Sequence, residues 1–119
     1  MINLDREVFS KLNNIAPTYQ GYPREWNELP VISFVCENNN SAIQTTEEIT
    51  SYIVYKVDLF CNLKQDYITL MNDINESMTS IGFVRQQCDN MNETNGIHIV
   101  FRYYVYIDKF GNRYTSIYY

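Results

Sequence analysis

The twelve residues from Ile97 to Asp108 alternate without a break. Ile97, Ile99, Phe101, Tyr103, Val105 and Ile107 form one set; His98, Val100, Arg102, Tyr104, Tyr106 and Asp108 form the other. A period of two over this length excludes a helix, whose apolar stripe recurs every three or four residues, and it commits one side of a strand to a core. A second run, Ile49 to Cys61, behaves the same way. Its core side is Ile53, Tyr55, Val57, Leu59 and Cys61, and Tyr52, Val54, Lys56, Asp58 and Phe60 face the other way. Two long strands with one apolar face each require another layer to cover that face.

Two segments can supply the layer. From Asn3 to Asn14, Leu4, Val8, Leu12 and Ile15 fall on one helical stripe, with Asp5 and Glu7 in the first turn where the helix dipole favours them. From Leu63 to Ile81, Tyr67, Leu70, Met71, Ile74, Met78 and Ile81 recur at steps of three and four, and Gly82 stands where a left-handed cap is needed. Between the first helix and Val31, the residues Pro17, Gly21, Pro23 and Pro30 break regular structure, although Tyr19, Tyr22 and Trp26 would pin such a loop down. Val31 to Cys36 reads as a short buried strand. Asn38, Asn39, Asn40 and Ser41 read as a loop that the polar run Gln44, Thr45, Thr46, Glu47 and Glu48 extends.

Phe83 to Gln87 predicts a short strand, Asn90 to Gly96 a polar loop, Lys109 to Asn112 a turn, and Arg113 to Tyr119 a last strand. The expected fold is therefore α+β: an antiparallel sheet with two helices packed on one face, in the order α-β-β-α-β-β with room for one extra short strand. At 119 residues the whole of 1–119 is expected to be a single domain.

Charge narrows the function classes. A net charge of -5 and a pI near 4.7 oppose tight binding to a phosphate backbone. No apolar stretch approaches the length of a membrane span, and no basic segment followed by an apolar run opens the chain, so a cytosolic site of synthesis is expected. Cys36, Cys61 and Cys88 are odd in number and widely spaced, and read as small buried apolar residues; with His98 they lack the close Cys pair of a zinc site. The triplets at Asn39, Asn75 and Asn92 match the glycosylation pattern only through an Asn-rich composition.

No phosphate-binding glycine loop, nucleophile elbow or metalloprotease motif occurs, and no cofactor or catalytic residue is expected. His98 sits on the outward side of its strand with no partner visible in sequence, and reads as a solvent-facing or interface residue. Asp58 and Asp108 read as surface or strand-end carboxylates.

The anomaly is tyrosine, 11 in all, with Tyr52, Tyr104, Tyr106 and Tyr118 on sides that alternation turns away from the core. Two readings stand equally: a subunit interface, or cross-strand aromatic pairing on an exposed sheet. A single-stranded nucleic-acid platform would interleave more basic residues than Lys56, Arg102 and Arg113.

Several runs together resemble one family. They are Tyr22-Pro23-Arg24-Glu25-Trp26-Asn27-Glu28-Leu29-Pro30-Val31-Ile32-Ser33-Phe34, the strand Tyr52 to Phe60, the helix end Met78 to Arg85, and His98 to Tyr103 with Ile107-Asp108. In matching order over nearly the whole chain, these resemble the tail terminator, or tail completion, proteins of long-tailed phages and prophages of Gram-positive bacteria.

The resemblance implies a non-enzymatic virion assembly protein with an α+β fold. It would form a homo-hexameric ring at the head-proximal end of the tail tube, stop tube polymerisation and offer the head-docking surface. Its partners would be further copies of itself, the major tail tube protein and the head-tail connector protein. It would reside in the host cytoplasm during assembly and then in the tail or neck of the virion.

On this view Tyr52, Lys56, Asp58, Arg102, Tyr104 and Tyr106 are the expected assembly interface. Asn38, Asn39, Asn40, Gln44, Glu47 and Glu48 are the expected channel-lining or tube-contacting loop. Acidic walls would let DNA pass without binding it. The alternatives are a neck or head-completion protein of the same virion, and an unrelated binding module whose aromatic face is the pocket.

Overall fold

The computed structural model describes residues 3–21, 28–44, 49–91 and 96–115; over 41–44 and at 49 the description is of the backbone. In chain order the elements are α1 (Asp5–Asn13), β1 (Thr18–Gln20), β2 (Val31–Gln44), β3 (Ile49–Cys61), α2 (Tyr67–Ser80), β4 (Val84–Asn90), β5 (Ile97–Asp108) and β6 (Arg113–Tyr114). They build one sheet in the order β1-β2-β3-β5-β4, with β6 added to β5. All pairings are antiparallel except β1 with β2. The expected α+β class is the observed one.

The core sits between the sheet and the two helices. Leu4, Val8 and Leu12 of the α1 stripe and Ile74, Met78 and Ile81 of α2 or its end are buried against Ile53, Tyr55, Val57, Leu59 and Cys61 of β3. Ile97, Ile99, Phe101, Tyr103, Val105 and Ile107 of β5 complete it. Each face assignment made by alternation holds on this side. Cys36 and Cys88 are half-buried against the same core.

Helix ends follow from local chemistry. Asn3 Oδ1 accepts the Asp5 N–H at 2.8 Å, and Asp66 accepts from the Thr69 N–H (3.1 Å) and hydroxyl (2.7 Å). Those two bonds hold the Asp66 carboxyl below its ordinary pKa. At the far end of α2, the Phe83 N–H reaches Met78 O (3.1 Å) and the Gly82 N–H reaches Thr79 O (3.0 Å). That pattern is a Schellman cap with Gly82 at φ +95°. No described helix is long and apolar enough to cross a membrane.

Four sequence expectations are corrected. β2 does not end at Cys36 but continues to Gln44, so Asn38, Asn39, Asn40 and Gln44 are strand residues, paired with Val54, Ile53, Tyr52 and Ile49. Asn is a poor strand former, yet β3 supplies a ladder of backbone partners, and irregularities at Cys36/Asn38 and Ser41/Ile43 take up the mismatch. The tube-contacting loop is therefore not a loop over those positions, and Glu47 and Glu48 lie outside the described residues. Thr18–Gln20, inside the stretch read as irregular, is a parallel edge strand. The strand after Phe83 runs on to Asn90, and among the described residues the last strand is Arg113–Tyr114; residues 116–119, Tyr118 with them, lie outside the described residues, as do Tyr22 and Trp26.

Candidate functional site

Both helices occupy one side of the sheet, so the expected interface residues gather on the other. The β3–β5 register sets Tyr52 opposite Tyr106, Val54 opposite Tyr104, Lys56 opposite Arg102, Asp58 opposite Val100 and Phe60 opposite His98. Antiparallel pairing makes every one of these a same-face neighbour. The six residues Tyr52, Lys56, Asp58, Arg102, Tyr104 and Tyr106 thus lie on one side of the sheet, which divides into three zones.

At one end the tyrosines touch one another. Tyr52 lies with ring centroids 5.0 Å from Tyr106 and 6.0 Å from Tyr104, and Tyr104 meets Tyr106 edge-on at 6.1 Å. Burial raises the Tyr52 phenol, and the two neighbouring phenols raise it further. Tyr104 donates to Thr115 O at 3.3 Å. The cluster satisfies part of the cross-strand reading while leaving all three rings half-exposed.

The middle zone is a row of charge. Arg102 grips Glu37 of β2 with Nε at 2.9 Å and Nη2 at 3.4 Å, spanning β3 to do so, and its Nη1 stands 3.5 Å from Gln87 of β4. The Glu37 contact holds the Arg102 guanidinium above its ordinary pKa. Glu37 escaped the sequence reading because it sits at the β2 irregularity, which turns it toward Arg102; no local pattern announces that.

At the other end Asp58 is only 1% exposed. Its Oδ1 is 2.9 Å from His98 Nε2, and Lys56 Nζ is 3.8 Å from Oδ2. The His98 ring stacks on Phe60 at 4.2 Å. This overturns two expectations. Asp58 is a buried mid-strand carboxylate and not a surface one, and His98 has a carboxylate partner because the register brings β3 and β5 together. A buried carboxylate needs such donors, since desolvating an ionised group without them costs well over the roughly 2–7 kcal/mol of an unpaired neutral polar group.

Asp108, by contrast, is the strand-end residue expected. It accepts from the Phe110 and Asn112 N–H groups (both 2.9 Å), the Asn112 side-chain amide (3.1 Å) and the Tyr114 hydroxyl (3.0 Å). Burial raises its pKa, but those bonds together outweigh it and hold the carboxyl below its ordinary value. Asp108 organises the β5–β6 turn.

The geometry offers little for nucleophilic catalysis. Ser33 faces Asp58 from β2, so the carboxylate lies between the hydroxyl strand and the histidine strand, whereas an acyl-transfer triad needs the imidazole in the middle. The cysteines do not converge with His98 either: they share the helix side of the sheet and His98 the opposite side. No family model matches this chain, and no curated protein matches it.

What the surface can do is join. Tyrosine clusters and paired Arg are favoured where proteins meet, and a charge row of both signs fixes register between surfaces more than it adds affinity.

Proposed function

We propose that this chain is a virion assembly protein of the tail terminator kind. Copies join into a hexameric ring at the head-proximal end of a tail tube, end tube growth and offer the head its docking surface. The observation that carries the reading is the helix-free sheet face, where three mutually touching tyrosines stand beside the Glu37–Arg102–Lys56 charge row. Such a face, applied to a different patch on the next copy, gives a heterologous contact, and a heterologous contact that closes gives a ring. The acidic balance of the chain suits a ring through which DNA passes without sticking. The partners on this reading are other copies, the tube protein and the head-tail connector.

The test is electron microscopy of particles made after the gene is deleted from the phage or prophage that carries it. Overlong, headless tubes are the expected result. Tails of normal length beside unattached heads would reassign the protein to the neck, and normal virions would overturn the assembly reading altogether.

A further inference from the structure

A heterologous contact has two unlike halves, and the helix-free face supplies one of them. The other half has to be exposed, apolar at its centre and held in place by its own copy. Phe110 meets all three conditions. At 75% it is the most exposed large apolar side chain among the described residues.

The turn that carries Phe110 is firmly built. Asp108, only 2% exposed, accepts from the Phe110 and Asn112 N–H groups, the Asn112 side-chain amide and the Tyr114 hydroxyl. The Gly111 N–H returns to Asp108 O at 3.1 Å, with Gly111 at φ +87°. A turn ordered in advance loses little further freedom when it is bound. The Lys109 ammonium lies 5.1 Å from the centre of the Phe110 ring, so the tip presents an aromatic ring and a positive charge as one unit.

Its position matters as much. Strand β3 lines one side of β5 as far as Asp108, so β6 lies on the other side and continues the edge that β4 leaves at Val84. The Lys109–Asn112 turn thus stands at an outer corner of the sheet. Its root, Asp108, is two residues beyond Tyr106, about 7 Å of strand. Turn and tyrosine cluster therefore occupy one level along the strands, and a rotation without translation joins patches that share a level along its axis.

We propose that the Lys109–Phe110 turn of one copy seats on the Tyr52, Tyr104 and Tyr106 cluster of the next, in a ring whose axis runs along the strands. Phe110 packs against the tyrosine rings, and the Lys109 ammonium meets the electron-rich face of one of them. The inference rests on the assembly reading and names the second half of its contact.

The test is analytical ultracentrifugation of the full chain, of two variants and of their mixture. Phe110→Lys removes the aromatic tip, and Tyr106→Lys sets a second cation in the cluster. The parent is expected to sediment as a closed oligomer, and each variant alone as a monomer, its self-association weakened by at least about thirtyfold. An equimolar mixture is expected to give a heterodimer and nothing larger, because the Tyr106→Lys copy keeps its turn and the Phe110→Lys copy keeps its cluster. A thermal melt verifies the fold of each variant, and Tyr52→Lys replaces Tyr106→Lys if the latter melts early. A parent oligomer that survives in either variant, or a mixture that stays monomeric, would overturn this contact while leaving the assembly reading to the deletion experiment. A parent that is itself monomeric would overturn it too, and overlong tubes on deletion would then place the contacts of the ring elsewhere.

Discussion

Asp58 and His98, forty residues apart in the chain, meet across β3 and β5 at 2.9 Å, with the carboxylate buried and the ring half-covered against Phe60. With the carboxylate ionised, the ring N–H is the donor. The pair ties the two central strands together on the side that no helix covers.

Removing the ring leaves the buried carboxylate short of one donor. His98→Ala is expected to destabilise the chain by about 1–3 kcal/mol, read as a lower urea midpoint. An unchanged midpoint would show that the pair contributes nothing.

Gly82 caps α2 at φ +95°, and a Cβ built there would lie 2.8 Å from Arg113 Cδ. Arg113 has little freedom to withdraw, since it pairs with Glu7 at 2.6 Å and donates to Ile81 O. Gly82→Ala therefore combines backbone strain with a displaced ion pair, and a loss of about 1–3 kcal/mol in thermal denaturation is expected. Gly21 has the same sign of φ but open space around its Cβ position, so Gly21→Ala is expected to cost less.

Tyr55 donates to Asp5 at 2.5 Å and so fastens β3 to the first turn of α1. Tyr55→Phe deletes that bond and leaves Asp5 with Gln20 alone among these donors. A loss of about 0.5–2 kcal/mol is expected by calorimetry, with early exchange of α1 amides.

The assembly reading separates stability from association at Arg102. Its pair with Glu37 is about one third exposed on each side, so breaking it costs under about 1 kcal/mol of fold stability. Arg102→Glu sets two acids together in the middle of the proposed interface. The variant is expected to melt within a few degrees of the parent and to fail to cap tubes in an in vitro tail-assembly assay. Normal capping by Arg102→Glu would remove this face from the interface.

Alkali should unfold the chain in a defined window. Burial raises the Cys61 thiol to about 11 from about 9, and it also raises the Tyr55 and Tyr103 phenols, the former helped by its bond to Asp5. Over the window between the unfolded and folded pKa values the folded chain keeps protons that the unfolded chain has released, so stability falls as pH rises. For Cys61 the contribution is whole below about pH 9 and disappears between about 9 and 11. Urea midpoints measured from neutral pH upward are expected to stay level and then drop across that interval. A level midpoint throughout would contradict it.

Where a residue's environment is set by its own strand or helix, the amino-acid order was sufficient. The spans Ile49–Cys61 and Ile97–Asp108, their core sides, the α1 and α2 stripes and the Gly82 cap are all periodic or positional signals, and the structure reproduces them. The helix-free face could also be read in outline, because alternation that turns one side of a strand to the helices turns the other away from them, although Val54, Asp58 and Val100 on that side are buried as well.

What alternation lacks is register. Nothing in either strand says that residue 58 will lie diagonal to residue 98, or that Arg102 will reach over β3 to Glu37, since pairing across strands is a property of two segments at once. The same cause explains the Asn-rich strand. Local propensity marks Asn38 to Asn40 as a turn, and only the partner ladder of β3 overrides it. Strand β1 was equally hidden, because a parallel edge strand is made by long-range pairing. The sequence alone determined the core sides of β3 and β5 and the apolar stripes of the two helices, because those depend on near neighbours, whereas β1 and the far half of β2 became strand only through their pairing. Tertiary structure decided which charges are buried and paired and which rings touch across strands, because those depend on atoms brought together from distant parts of the chain.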